Sequence, residues 1–493
     1  MSVTAAVILV TAIYSAICLW IGYYGWKRTQ LTPVDYFLAG RSLGTFVLSL
    51  TFIATYASLW TFYGAVGANY RLGPSFMSAM ITWNLIWPLM IWVMGTRLWV
   101  LGQRFGCITP SDLFAEYYQS EAMRVLTSVV GIIALIPYMS IQLLGGGLAF
   151  EVATGKAIPF WAGALFMAAV MMVYTFVGGL RAVAWTDVFQ GIFFLAVMVA
   201  LSVWIFGIPE GGNAFRASAT ANPKLFDPTN FGWGQWLGFV CTWGLSPLLP
   251  HLMQRCFMAR SARVITRTAA SLAILSPWVQ TVPVMIVGVA AVSILPGLKG
   301  GATDAIIPLL LAKYAPYVGA VVVAGAFAAG MSTLDSQLLS ASSLVTRDLY
   351  RYVRPGADDK EQARVGQLFV AVVTVVMYLF VLTKPGFIVV LGTAGAGIAI
   401  AGYLFPAIGV LFWPRAGRVA ALGGLVAGGL TAFLTFAVWQ FPLGLHNTLW
   451  GILVGAVVFL VLAYATRPLP YPQQARFHGL LADAIAGVRK AGP

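Results

Sequence analysis

The sequence predicts an all-α polytopic membrane protein. Three observations carry that reading. Of 493 residues, 60% are hydrophobic and only 9% are charged, whereas soluble chains carry about 25% charged residues. The uncharged stretches are apolar all round, and many exceed about 18 residues, enough for a helix to cross a bilayer. They lack the period-two alternation of a membrane-spanning barrel.

Taken in order, the apolar stretches predict thirteen spans, near 3–25, 45–67, 75–98, 122–150, 156–177, 185–208, 236–254, 269–295, 316–345, 366–384, 386–413, 418–440 and 449–466. Those at 122–150 and 386–413 are long enough to be tilted or broken. The first 25 residues have no basic n-region and no cleavage site ahead of a polar domain, so they read as a retained first helix. The largest expected loops are 209–235, rich in Gly, Pro and Asn, and the charged 346–365. Neither could bury a core of its own. The tail, 467–493, has room for one short surface helix.

A net charge of +14 suggests nucleic acid in a soluble protein, but here its placement decides. Lys and Arg gather in alternate loops. An N-terminus outside and a C-terminus in the cytoplasm put most of the 29 basic residues on the inner side, among them Arg124, Arg181, Arg255, Arg347, Arg489 and Lys490, and leave Arg71, Lys313, Lys384 and a few others outside. The expected location is the plasma membrane, with the lipid bilayer as partner and neither nucleic acid nor an obligatory protein partner. Cys18, Cys107, Cys241 and Cys256 are widely spaced, which supports neither disulfides nor a zinc site.

Membrane helices are expected to run unbroken, so small and polar residues at mid-span carry the most information. In the second span Ala54, Thr55, Tyr56, Ala57, Ser58 and Thr61 cluster where an unwound turn could offer carbonyls to an ion. Close helix packing by small residues explains the same pattern. Further on, Ala329, Ser332 and Thr333 fall within one helical turn, followed by Asp335 and Ser336. A carboxylate inside a span costs at least about 2.5 kcal/mol and marks an ion or proton path. Asp187 is the other mid-span acid. It reads either as part of such a path or as the partner of Arg181 at the interface. Pro137, Tyr138 and Gln142 interrupt the fourth span, and Trp243, Ser246, Pro247 and Pro250 the seventh. His251 reads as a cap or interface residue.

Four stretches then carry a resemblance to the sodium:solute symporter family: GRSLG (Gly40 to Gly44), YTFVGGLRAVAWTDVFQ ending at Gln190, PHLMQRC (Pro250 to Cys256) and GMSTLDSQLLSASSLVTRDLY (Gly330 to Tyr350). The resemblance implies a leucine-transporter-like core of two five-helix inverted repeats, at 45–208 and 236–413. The helix within 1–44 would precede this core, the loop 209–235 would separate its halves, and two helices in 414–466 would follow. It also implies a sodium ion held by the carbonyls of Ala54, Ala57 and Ala329 and the hydroxyls of Ser332 and Thr333. A second cation on Asp187, Asp335 and Ser336 is implied by likeness to the sialic acid transporters of the family, although Asp335 stands where one of their serines would be. Tyr56 replaces the aspartate of the proline permease, no acidic residue lies in 75–98 as it does in sugar carriers, and PHLMQRC fits the pantothenate-type pattern.

Together these point to a sodium-coupled symporter importing a small organic solute, most simply a carboxylate such as a monocarboxylate, a pantothenate-like acid or an amino acid. Ser58, Trp60, Gln142 and Trp243 are its expected contacts. A proton-coupled symporter using Asp187 and Asp335, or a membrane-embedded solute sensor, are the alternatives. An enzyme is not expected, because no His, Cys or paired-acid cluster falls at mid-depth.

Overall fold

Backbone polar groups in a bilayer must be satisfied within the protein, which leaves helices as the answer to so apolar a sequence. The computed structural model describes residues 1–29, 32–383 and 388–484, with positions 174, 176–178 and 359 described by backbone alone. The membrane helices are α1 Val3–Trp26, α2 Thr45–Tyr56, α3 Trp60–Leu72, α4 Pro74–Arg104, α5 Glu121–Ala153, α6 Phe160–Val173, α7 Gly179–Gly207, α8 Trp233–Gly244, α9 Pro250–Met258, α10 Ala262–Ile294, α11 Pro316–Val353, α12 Lys360–Val381, α13 Ile388–Leu411, α14 Arg418–Ala437 and α15 Asn447–Ala465. Among the described residues ten helices are long and apolar enough to cross a membrane, or eleven when the bent pair α2 and α3 counts as one span. The expected spans 156–177 and 236–254 are present as the shorter α6 and the pair α8 and α9. A count of thirteen therefore depends on admitting these two.

Two breaks shape the interior. Helices α2 and α3 meet at 58°, because Ala57 leaves the helical region (φ −82°, ψ 104°). The freed amides are capped from nearby: the Trp60 N–H donates to Ser58 Oγ at 3.1 Å and the Leu59 N–H to Gln142 Oε1 of α5 at 3.1 Å. The second break lies between α8 and α9. Leu249 is extended there, and Pro250, which has no N–H to leave unpaired, opens the next helix.

The sequence motifs interlock at one end of the bundle. Leu43, in GRSLG, pairs with the chain after PHLMQRC: its N–H donates to Met258 O at 3.2 Å, and the Arg260 N–H donates back to Leu43 O at 3.0 Å. Arg181, after the Gly-Gly pair, is bonded to Asp35 rather than to Asp187. Gly179 kinks the chain between α6 and α7 with φ 59° and ψ −169°.

Around this core, α1 packs along α11 and the Phe160–Trp204 run, while α14 and α15 pack on each other and on α13. One sequence expectation needs correction. The loop at 346–365 starts later, since α11 continues through Val353. Its Asp348 is buried and accepts bonds from the Thr109 hydroxyl at 3.1 Å and from Arg124 at 3.2 Å. The tail is docked over its helical part, 471–484: Phe477 stacks on Phe105 at 4.1 Å, and the Gln473 amide donates to Glu116 O and Tyr117 O. Lys384, Arg489 and Lys490 lie outside the described residues.

Candidate ion and substrate site

A helix that stops at Tyr56 leaves its last carbonyls without intrahelical partners. Those carbonyls face α11. Ser332 Oγ donates to Ala54 O at 2.8 Å, and Thr333 Oγ1 lies 3.0 Å from Thr55 O and 3.4 Å from Ala54 O. The same two hydroxyls reach back to Ala329 O at 3.3 and 3.2 Å. Ala54, Ala329, Ser332 and Thr333 thus meet at one point, with the Thr55 carbonyl as an oxygen that the sequence did not indicate. Ala57 stands at the break itself, and among the described residues no hydrogen bond joins it to Ser332 or Thr333. Every oxygen here is neutral and deeply buried. Such a set suits a desolvated monovalent cation rather than a divalent one, which would demand carboxylates.

One turn along α11, Ser336 donates to Asp335 Oδ1 at 3.2 Å. Asp187, on α7, is fully buried and accepts from the Thr51 hydroxyl. Between them sits a residue that positive-residue counting had placed in an inner loop. Arg255 is only 1% exposed, and its Nη2 donates to Asp187 Oδ2 at 3.2 Å and, at short range, to Thr55 Oγ1 and Ser336 Oγ. Arg255 is buried because every residue of α9 is buried, so this helix runs inside the protein rather than into a loop. His251, read as a cap, is likewise internal.

Beside the two breaks the side chains become aromatic. Tyr56 stacks on Trp87 with centroids 4.3 Å apart, and Trp243 meets Tyr56, Trp60 and Tyr138 at 5.7, 4.8 and 5.7 Å. Of the four expected solute contacts, three have structural partners. Ser58 and Gln142 cap the break, and Trp60 Nε1 pins α3 to α13 through Thr393 Oγ1 at 2.9 Å and Val389 O at 3.2 Å. Trp243 differs. Its Nε1, together with Ser246 Oγ and both ring nitrogens of His251, is buried without a hydrogen-bond partner among the described residues. Ser246 and His251 were visible only as a break and a cap in the sequence. Their signal was the Pro247 and Pro250 spacing that unwinds the chain beside them.

Broken helices flanking a neutral oxygen cluster are a transporter arrangement, and sequence comparison decides which. The sodium:solute symporter family matches residues 36–428. The chain belongs to the sodium:solute symporter family. Members are sodium-coupled solute carriers, not enzymes, and sodium is the coupling ion. The sodium/pantothenate symporter of Escherichia coli (strain K12) is 29% identical over 484 residues, covering 92% of this chain and 95% of that protein. A sodium/proline symporter of Staphylococcus aureus is 28% identical over 481 residues, covering 94% and 92%. Among solved structures, a substrate-bound, outward-open Na+-coupled sialic acid symporter superposes with a TM-score of 0.79 at 20% identity, over 94% of this chain and 98% of that one. The nucleobase-cation-symport-1 transporter MHP1, closed on bromovinylhydantoin, gives 0.56 at 16%, over 90% and 98%. These likenesses establish the leucine-transporter-like fold of this symporter family member.

Proposed function

We propose that this symporter imports a small organic carboxylate together with sodium, by alternating access of the two breaks. The observation that carries the reading is the indole N–H of Trp243, buried without a hydrogen-bond partner among the described residues and set among the rings of Tyr56, Trp60 and Tyr138, with Ser246 Oγ and the ring nitrogens of His251, which lies 6.0 Å from the Tyr138 ring, likewise buried and unpartnered among them. Burying polar groups without partners costs about 1–3 kcal/mol each, a cost that a ligand offering acceptors removes. A carboxylate has two acceptor oxygens, and the aromatic rings suit a short apolar body. A polyhydroxylated sugar would need more acceptors and donors than these.

Sodium would be held by the carbonyls of Ala54, Ala57 and Ala329 and the hydroxyls of Ser332 and Thr333. The hydroxyls would turn their protons away and present lone pairs, drawing α2 against α11. That motion is the coupling step, because α2 and α3 also frame the solute pocket. The repeats would be 45–208 and 236–413, moving about the site, with the N-terminus outside and the C-terminus in the cytoplasm at the plasma membrane.

The test is uptake of labelled acetate, pyruvate, lactate, pantothenate and proline into proteoliposomes, each with and without sodium. Sodium-stimulated uptake of at least one carboxylate supports the reading. Uptake of a neutral sugar and of no carboxylate rejects it.

A further inference from the structure

The chain between α4 and the Pro110–Tyr118 helix forms a joint. On one side α4 is tied to α9: Trp99 Nε1 donates to Ala259 O at 2.7 Å, and a Cβ added at Gly102 would fall 2.4 Å from the Phe257 ring. On the other side the Pro110–Tyr118 helix is tied to the long helices. The Thr109 hydroxyl donates to Asp348 of α11 at 3.1 Å, and the Tyr118 hydroxyl to Pro406 O of α13 at 2.9 Å. Between the two lies the chain from Phe105 to Ile108, with Gly106 at φ 66°, a conformation that glycine adopts freely. The tail crosses this joint. Phe477, fully buried, stacks on Phe105 at 4.1 Å and meets the Tyr117 ring at 5.0 Å. Gln473 donates to Glu116 O and Tyr117 O at 2.8 and 2.9 Å. Arg476 pairs with Glu116 at 2.9 Å while lying over the Phe105 ring, and His478 Nε2 is 3.0 Å from the Tyr117 hydroxyl.

We infer that the C-terminal tail is a clasp on this joint: docked, it holds α9 against α11, and released, it lets α4 and α9 swing away together and opens the Trp243–His251 pocket toward the tail side of the membrane. Helix α9 runs from His251 at that pocket to Met258 beside the joint, and every residue of it is buried. Its seam with α11 is polar. The Gln254 amide donates to Ile108 O and to Ser343 Oγ of α11, each at 3.3 Å. Ser340 shares the α11 face of Ser336 and Ser343 by its spacing, and its hydroxyl is buried without a partner among the described residues. Polar side chains are wetted at little cost when a seam parts, whereas buried apolar rings resist it. The closure therefore leans on the rings that the tail brings to both sides of the joint.

This inference rests on the alternating-access reading, but its experiment needs neither sodium nor solute, so either can fail while the other stands. Ser340→Cys places a thiol in the α9–α11 seam of the full-length protein in lipid nanodiscs. Labelling by a water-soluble maleimide is then followed residue by residue with mass spectrometry. Adding Phe477→Ala should speed labelling at position 340 about tenfold, because labelling tracks the population of the open form. Cys18 of α1, buried beside Gln190 of α7, should label no faster. Phe477→Tyr, which keeps the stack, should label as the parent does. Gln473→Ala is read in the same way should the Phe477→Ala chain melt early. Trypsin cleavage at Arg476 reports that the tail has left its dock. Unchanged labelling at position 340 once trypsin cuts there overturns the inference. So does equal speeding of Cys18, which would mean that the whole bundle has loosened. A tail that stays protected from trypsin in the Phe477→Ala, Gln473→Ala double variant overturns it as well, because these contacts would then not be the clasp.

Discussion

The hydroxyl of Ser332 donates to the carbonyl of Ala54 at 2.8 Å across 278 residues of sequence. In an unbroken helix that carbonyl would be taken by the amide of residue 58, but the chain turns at Ala57 and releases it. The hydroxyl of Thr333 reaches the same carbonyl at 3.4 Å. One local break thus supplies both the acceptors of the proposed ion site and the bend beside it, which is the reason that small residues rather than charges mark it.

Replacing both Ser332 and Thr333 with Ala should raise the sodium concentration for half-maximal uptake at least tenfold. Each lost oxygen partner is worth about 1 kcal/mol, and about 1.4 kcal/mol is a decade. Uptake at saturating sodium should recover much of its rate. An unchanged sodium activation curve would place the ion elsewhere.

Trp243→Phe keeps a ring against Tyr56 and Trp60 but removes the unpartnered N–H. A hydrogen bond to a charged group contributes about 1.5–3 kcal/mol, so KM for the carboxylate should rise about tenfold or more. Its sodium activation should stay as in the native protein. Initial-rate uptake across a solute series checks both halves.

Gly179 has φ 59° and ψ −169°, a region open essentially to glycine alone. An added Cβ would also lie 2.7 Å from the Tyr36 ring. Gly179→Ala should therefore cost about 1–3 kcal/mol and lower the melting temperature in detergent. Gly356→Ala, where a Cβ meets nothing within 4 Å, is the control and should melt as the native protein does.

Asp304 lies outside the spans, in the turn Gly300–Ala305, and accepts the Ile388 N–H at 3.0 Å. Burial pushes its carboxyl up to about 6, against the opposing pull of that N–H and of Arg71. An unfolded carboxyl titrates near about 4, so between these values the folded protein binds more protons than the unfolded chain. The resulting stability is complete below about pH 4 and is lost as pH rises through about 6. Relative to Asp304→Asn, the native protein should gain up to about 2–3 kcal/mol between pH 7 and pH 4. Melting curves of the pair across this range decide it, and parallel curves would contradict it.

Much of the fold was legible because apolar runs of span length admit few alternatives, and Ala54, Ala329, Ser332 and Thr333 were legible because unwinding and paired hydroxyls leave a local pattern. Arg255 was not. Counting positive residues at span ends assumes that such residues face water, whereas α9 is a half-helix that ends inside the protein, and burial there depends on α2, α7 and α11. Gln142 was visible as polar but not as a cap, since its acceptor role exists only once α5 lies beside the break, whereas Ser58 caps the Trp60 N–H locally, two residues away. Trp243 and His251 gained meaning from what does not bond to them, which a single sequence does not display.

The central claim is sodium-driven accumulation of a carboxylate. Proteoliposomes holding the purified protein, with membrane potential clamped and an inward sodium gradient imposed, should accumulate a labelled carboxylate above its external concentration and lose it when the gradient is collapsed. Accumulation driven equally by a proton gradient in sodium-free medium, or mere equilibration regardless of sodium, would contradict the account.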